Sequence, residues 1–184
     1  MQFRFRLGMA LGLLALSGCG AQVSRELPSV GVVEYRLSPG DQLHLEVFRE
    51  ETLSGDYVVN DAGAITLPMA GDFPVTGKTV AQARAELEAL LAGGYVRDAR
   101  VNLTMAEYRP VFILGEVTRP GEYGYAQRMS VHALVAKAGG FTYRANEKVV
   151  YIRHALEGEE TAYALTSAAA VMPGDTVRIG ARYF

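Results

Sequence analysis

The residue types that could support nucleotide chemistry stand together at Gly77-Lys78-Thr79, directly before a predicted helix. This tripeptide is similar to the end of a phosphate-binding loop, in which four residues separate two glycines. Here five residues separate Gly71 from Gly77, and the correctly spaced position is Asp72, whose carboxylate would repel a phosphate. We therefore expect no nucleotide site, and we predict that Thr79 caps the helix.

The other candidates for chemistry are scattered. No two of His44, His132 and His154 have the spacing of zinc ligands, and the chain has no Gly-x-Ser-x-Gly nucleophile elbow. The adjacent pairs Glu50-Glu51 and Glu159-Glu160 point in different directions and favour solvated surface. The sequence thus predicts no enzyme, no metal site and no cofactor, although carboxylates distant in sequence leave a glycan hydrolase open.

The single cysteine, Cys19, ends a segment typical of secretion. Arg4 and Arg6 precede an apolar run over residues 7–16, which is too short for the roughly 20 residues of a membrane-spanning helix. Leu16-Ser17-Gly18-Cys19 resembles the lipobox of bacterial lipoproteins. We therefore predict a signal peptide over residues 1–18 and lipidation of Cys19.

The resemblance to lipoproteins also implies a destination. Gly20 follows the cysteine where inner-membrane lipoproteins carry Asp, which implies sorting to the periplasmic face of the outer membrane. Removing residues 1–18 removes two arginines, so the formal charge changes from −2 to −4. Such a mildly acidic chain is not expected to bind nucleic acid.

The mature chain begins with a short tether over residues 19–33 and continues with a β-rich unit over residues 34–109. Ser38-Pro39-Gly40-Asp41 predicts a type II turn, and the alternation after it predicts a strand from Leu43 to Val47. Residues 57–60 and 65–67 predict two strands that pair as a hairpin around Asp61-Ala62-Gly63.

The clearest helix spans Thr79 to Leu91, with Thr79 and Gln82 forming a capping box and Gly93-Gly94 ending it. Its predicted apolar stripe consists of Val80, Ala83, Leu87, Leu90 and Leu91. Residues 101–105 predict the strand that closes this unit.

A second unit is predicted over residues 110–184. It begins with Val111-Phe112-Ile113-Leu114, a strand whose two faces are both expected to be covered. Ser130 is predicted to cap a short helix that ends at Gly139-Gly140, and residues 149–152 predict another strand. The chain closes with Pro173-Gly174-Asp175 and a strand, so residues 171–179 echo residues 37–45 as a weak internal repeat.

These residues resemble the bacterial polysaccharide biosynthesis/export proteins of the Wza-like family. The first unit is similar to the export-signature domain through residues 35–41, the hairpin of residues 61–68 and the helix entry at residues 77–79. The second unit is similar to an SLBB (soluble-ligand-binding β-grasp) module through residues 115–123 and 138–142. The signature turns that carry the resemblance are Pro39, Gly40, Asp41, Gly63, Gly115, Pro120, Gly121, Gly139 and Gly140.

The resemblance implies an α+β fold: a β-rich export-signature domain with one helix, followed by a β-grasp-like SLBB domain. It implies a lipid-anchored protomer of a homo-oligomeric ring that guides a capsular polysaccharide or exopolysaccharide across the periplasm and outer membrane. Its implied partners are the polymer in transit and an inner-membrane polysaccharide co-polymerase. Long family members end in a membrane-crossing helix, and because this chain stops at Phe184, we expect a separate outer-membrane pore protein or a periplasmic collar.

Besides the glycan hydrolase mentioned above, one alternative function remains open. The chain could be a monomeric adaptor lipoprotein whose SLBB-like half binds a sugar, a peptidoglycan strand or a partner protein. The ten tyrosines suit contacts with sugars, because a ring can stack while its hydroxyl hydrogen-bonds. However, Tyr35, Tyr57, Tyr151 and Tyr183 lie in or beside predicted strands, where tyrosine is simply a favoured residue.

Overall fold

The computed structural model describes residues 26, 27, 29, 34–155 and 157–182. We call residues 34–109 the first unit and residues 110–182 the second unit. The first unit contains β1 (Gln42–Val47), β2 (Gly55–Val58), β3 (Ala64–Leu67), β4 (Gly71–Pro74), α1 (Val80–Ala92) and β5 (Val101–Glu107). The second contains β6 (Val111–Gly115), β7 (Gly121–Tyr123), α2 (Val131–Lys137), β8 (Ala145–Arg153), β9 (Thr161–Ala164) and β10 (Thr176–Ala181). The predicted α+β class is confirmed.

The first unit is built on an antiparallel sheet in the order β2-β1-β5. The predicted alternation of β1 is confirmed, because Leu43, Leu45 and Val47 are all buried. Their side chains join those of α1 and the β3–β4 hairpin in one apolar core. Burial of this core, rather than the intrinsic propensity of any short strand, holds the unit together.

Helix α1 begins at the predicted N-cap. The hydroxyl of Thr79 accepts from the amide of Gln82 at 3.2 Å, and the Gln82 side chain accepts from the amide of Thr79 at 3.0 Å. Ala83, Leu87 and Leu91 are buried, as predicted for the apolar stripe. The prediction that Leu90 belongs to this stripe is wrong, because Leu90 is 37 % exposed. The buried side chains follow an i, i+4 row, and Leu90 lies on its flank.

The predicted pairing of residues 57–60 with residues 65–67 is wrong. Strand β2 pairs with β1, and β3 pairs instead with β4, a strand that the sequence did not predict. The turn at residues 60–64 is tight, with the amide of Gly63 donating to Asn60 O at 2.8 Å, but its two arms enter different sheets. Strand β4 begins at Gly71 and ends at Pro74, two residue types that count against a strand in sequence-based prediction.

The second unit is a five-stranded mixed sheet in the order β7-β6-β10-β8-β9, in which β10 runs parallel to β6. Side chains of α2 join one face of this sheet in a separate apolar core. Val111 and Ile113 are buried there, whereas Phe112 and Leu114 are 38 % and 46 % exposed. The prediction that both faces of β6 are covered is therefore wrong, because among the described residues a helix covers only one face of the sheet.

Three residues of the predicted tether segment lie among the described residues, and they contact the second unit. Leu27 is buried in the second core, while Glu26 bridges to Ala164 and Ser29 bridges to Ala169. The signal peptide of residues 1–18, the lipidated Cys19, and Tyr183 with Phe184 lie outside the described residues. Neither helix of the described part has the length and apolar character needed to span a membrane.

Candidate functional site

Two turns of the same design stand before β1 and β10. In the first, Gly40 has φ +90° and the carboxylate of Asp41 accepts from the amide of Ser38 at 2.8 Å. In the second, Gly174 has φ +85° and the carboxylate of Asp175 accepts from the amide of Met172 at 2.8 Å. Positive φ at the third turn residue is what Pro-Gly in a type II turn supplies. The sequence echo thus corresponds to two local structures with the same hydrogen bonds.

Both aspartates are buried, and each has its own partners. Asp41 is fully buried and accepts from the Tyr35 hydroxyl, which lies 2.6 Å from either carboxylate oxygen. Burial, followed by this hydrogen bond, raises the pKa of Tyr35 far above its ordinary value. Asp175 lies 2.9 Å from Nδ1 of His154, whose Nε2 lies 3.3 Å from the Tyr163 hydroxyl. The two carboxylates are therefore buried with polar partners, as buried charges require.

Arg109, at the end of the first unit, lies against both turns. Its Nε donates to Asp41 Oδ1 at 3.3 Å and forms an ion pair with that buried carboxylate. A Cβ at Gly174 would come within 3.0 Å of Arg109 Nη1, and a Cβ at Gly40 would come within 3.3 Å of Arg109 Cδ. The amide of Gly174 also donates to Pro110 O at 3.0 Å. We call this arrangement of Arg109 and the two Pro-Gly-Asp turns the junction.

A row of three tyrosine rings crosses the same boundary. Tyr35 meets Tyr108 edge to face at 5.2 Å between ring centroids, and Tyr108 meets Tyr125 at 5.3 Å. Tyr35 packs on the first core and Tyr125 on the second. The rings line a cleft of about 260 Å³ together with Gln127 and Arg128, and we call it the tyrosine cleft.

The predicted signature turns of the second unit close the β6–β7 loop onto the end of α2. Thr118 donates from its amide to Gly140 O and from its hydroxyl to Gly139 O, both at 3.0 Å. Pro120 and Gly121 then lead into β7. At Gly115, φ is +85° and a Cβ would lie 2.1 Å from Ile179 O, so the close approach of β6 to β10 requires glycine.

In the first unit, Gly63 has a comparable local role. Its carbonyl accepts from the amides of Val75 and Thr76 at 2.9 and 3.0 Å, which ties the turn after β2 to the end of β4. A Cβ at Gly63 would lie 2.4 Å from Thr76 Oγ1. The signature residues therefore form two groups: turn and packing positions within each unit, and the Pro39-Gly40-Asp41 turn at the junction.

The residues that the sequence offered for nucleotide binding, metal binding or catalysis form ordinary ion pairs or cap a helix. Lys78 forms an ion pair with Glu86, and Thr79 caps α1. His44 pairs with Asp56, with Nδ1 2.6 Å from Oδ1. His154 pairs with a different aspartate, Asp175. Glu160 forms an ion pair with Arg178, which lowers the pKa of Glu160. Over the described residues, no three histidine, cysteine, aspartate or glutamate side chains are grouped as a metal site would require.

Sequence reasoning missed two parts of this site. Residue 109 was predicted only as the end of the first unit. Nothing in the neighbouring sequence marks Arg109 as the partner of an aspartate 68 residues earlier. Tyr108 and Tyr125 were not singled out among the ten tyrosines. Only the repeated Pro-Gly-Asp signal could have identified Asp175.

Residues 31–106 match the family described as polysaccharide biosynthesis/export protein, and residues 110–163 match the SLBB domain. The chain is 36 % identical over 140 residues to the exopolysaccharide production protein ExoF of Rhizobium meliloti (strain 1021), covering 70 % of this chain and 32 % of that protein. It is 29 % identical over 109 residues to a polysialic acid transport protein KpsD of Escherichia coli, covering 58 % of this chain and 20 % of that protein. The chain thus spans a third or less of these relatives.

The two matched segments meet at residues 107–109, where the structure places Tyr108 and Arg109. The export segment contains the Pro39-Gly40-Asp41 turn and Gly63, and the SLBB segment contains the Gly115, Pro120-Gly121 and Gly139-Gly140 turns. The two domains lie in the order that the resemblance implied, and the predicted likeness to the Wza-like polysaccharide biosynthesis/export family is confirmed.

Proposed function

We propose that this protein is a non-enzymatic, lipid-anchored component of a capsular polysaccharide or exopolysaccharide export conduit on the periplasmic face of the outer membrane. The observation that carries the proposal is an export domain followed directly by an SLBB domain on one chain. The names of the relatives refer to exopolysaccharide and polysialic acid, and a bacterial polysaccharide is the substrate class proposed here.

The anchor is Cys19, whose sulfur would carry the lipid. The ten residue-to-residue steps from Cys19 to Ser29 can reach at most about 35 Å when fully extended. Ser29 bridges to Ala169 and lines the tyrosine cleft, so a lipid on Cys19 would keep the second unit within that distance of the bilayer. Two or more acyl chains would make this attachment stable.

The mature protein is proposed to form a closed homo-oligomeric ring around the polymer. Closed cyclic symmetry gives every protomer the same environment, and it leaves a central lumen. An inner-membrane polysaccharide co-polymerase would deliver the chain, and an outer-membrane pore protein or a collar arrangement would release it. Contacts with the polymer need to be numerous and individually weak, because tight binding at one station would stop movement.

The decisive experiment is an in-frame deletion of the gene with polysaccharide measured in two places. We expect cells that still synthesise polymer but lose it from the surface, with display restored by the wild-type gene on a plasmid. Surface polymer at the wild-type level in the deletion strain would refute the export function.

The anchor has its own test. Cys19→Ser should abolish metabolic labelling by a fatty acid and move the protein from the membrane fraction to the soluble periplasmic fraction. Ser24→Ala, in the same predicted tether, is the matched control and should change neither. A Cys19→Ser protein that fractionates with the membrane as before would contradict the anchor.

The ring is tested by light scattering of the mature lipoprotein in detergent. A discrete mass of several protomers supports the conduit. A monomer that persists as the protein concentration is raised would contradict the ring and favour a monomeric adaptor that binds a sugar or partner protein through the second unit.

A further inference from the structure

The tyrosine cleft has the physical character of a ligand site rather than of a packing defect. It has about 260 Å³ of space, close to the lower end of the roughly 300–1,000 Å³ of small-molecule pockets. Its wall combines the rings of Tyr35, Tyr108 and Tyr125 with polar side chains at its rim. This space is large enough for a single sugar ring.

The three rings are fixed before any ligand arrives. The hydroxyl of Tyr35 is held by Asp41, and the hydroxyl of Tyr108 accepts from Gln127 Nε2 at 2.8 Å. Each ring also meets its neighbour edge to face. A ligand that stacks here loses little side-chain entropy from the protein, because the rings are already ordered.

Polar capacity remains available at the rim. Within the part of the chain that the structure describes, the guanidinium of Arg128 and the amide oxygen of Gln127 have no hydrogen-bond partner. Both residues are exposed. The hydroxyl of Tyr108 accepts a bond and still has its own proton to donate. Burial raises the pKa of Tyr125, so its hydroxyl stays neutral in the ordinary pH range.

This combination matches a pyranose ring, which has apolar C–H groups on its faces and hydroxyls around its edge. The C–H groups can stack on tyrosine, while hydroxyls or a ring carboxylate can bind donors and acceptors at the rim. We propose that the tyrosine cleft binds a pyranose residue of the polysaccharide, with Tyr108 as its central stacking surface. This inference rests on the proposed export function and names a place where the polymer contacts the protein.

The charge of Arg128 should make the cleft selective for acidic sugars. Among the described residues that line the cleft, Arg128 is the only one that carries a charge. A guanidinium binds a carboxylate through charge-assisted hydrogen bonds, which are stronger than those to a neutral hydroxyl. The cleft therefore favours a uronate over a neutral hexose, and Arg128→Ala should remove that preference.

The test is saturation-transfer NMR on the mature lipoprotein in a detergent that has no sugar headgroup, with saturation in the aromatic region where the detergent does not absorb. The probes are cellotetraose, which is neutral, and tetragalacturonate, which is acidic. We expect transfer to both probes and several-fold tighter binding of the acidic one. Tyr108→Ala should weaken both by up to about tenfold, the size of one lost aromatic contact.

Three variants keep the result interpretable. Tyr108→Phe keeps the stacking ring and should retain most of the binding. Gln127→Ala removes an exposed rim amide together with its bond to the Tyr108 hydroxyl, and it should weaken both probes severalfold. Tyr143→Ala removes a tyrosine that is 81 % exposed and does not line the cleft, and it should change nothing.

The proposal is overturned if neither probe receives saturation from the wild-type protein. It is also overturned if Tyr108→Ala and Gln127→Ala both bind as the wild type does. Equal affinity for the two probes would contradict the role given to Arg128. These outcomes are separate from the deletion experiment: a strain that loses surface polymer while the cleft fails to bind sugar would leave export standing and reject this site alone.

Discussion

Replacing Arg109 tests whether the junction holds the two units together. Arg109→Met removes the cation beside a fully buried carboxylate while keeping an unbranched side chain of similar reach. Asp41 would keep its bonds from the Ser38 amide and the Tyr35 hydroxyl, but nothing would neutralise its charge. We therefore expect a loss of stability rather than a local rearrangement.

The magnitude follows from the geometry. Removing one partner of a buried ion pair costs about 3–5 kcal/mol when the remaining charge is left without compensation. Here the bond from Arg109 to Asp41 is 3.3 Å, at the long end for such a bond, and two other groups still donate to Asp41. The expected loss is therefore about 2–3 kcal/mol, which for a chain of this size lowers the Tm by roughly 5–10 °C.

The assay is urea and thermal unfolding followed by far-ultraviolet circular dichroism. Arg97→Met is the matched control, because Arg97 is exposed and forms no ion pair within the described residues; its effect should stay within about 0.5 kcal/mol. A double-mutant cycle with Asp41→Asn should give a coupling of about 1 kcal/mol or more. If Arg109→Met unfolds like Arg97→Met, or if the cycle shows no coupling, the role of Arg109 is refuted.

Three further predictions test local features. Gly115→Ala should destabilise the second unit by about 3 kcal/mol in urea unfolding, because the new Cβ would overlap Ile179 O and the positive φ disfavours alanine; a change under about 1 kcal/mol would contradict the close approach. Thr79→Ala should cost about 1 kcal/mol by the same assay through loss of the helix cap, and no loss would mean that the cap is not formed in solution. The hydrogen bond to Asp56 raises the pKa of His44, so this pair stabilises the fold below the pKa of an unfolded histidine and ceases to do so as pH rises through the folded value. An NMR titration should show the pKa of His44 falling towards 6.5 in Asp56→Asn, and an unchanged value would exclude this pairing.

The features that sequence predicted correctly are those decided by neighbours in the chain. The capping box at Thr79 depends on residues three apart, and the burial of β1 follows from alternation within one strand. The turn after Ser38 depends on Pro39, Gly40 and the carboxylate of Asp41, all of which lie within four residues of the chain. Each of these features can be predicted without knowing what packs against it.

The features that sequence did not predict depend on partners distant in the chain. An apolar run such as Val111–Leu114 cannot show whether one or both faces of a strand are covered, and only the position of α2 decides this. Similarly, β3 pairs with β4 rather than with β2, because β2 pairs with β1 in a different sheet. Local pattern predicted seven of the strands but missed β4, β7 and β9, and it did not predict how the strands pair.

The candidate site follows the same division, and this explains why its centre was missed. Each Pro-Gly-Asp turn is a local signal, so both were found, but their meeting at Arg109 is a product of the complete fold. Arg109 can touch both because the chain passes from β5 to β6 within a few residues there. Tyr108 lies next to it and joins the ring contacts of Tyr35 and Tyr125, so the residues that fix the two units also shape the tyrosine cleft. A change in the angle between the units would therefore alter the cleft directly, so variants that loosen the junction should also weaken the sugar binding proposed for the cleft.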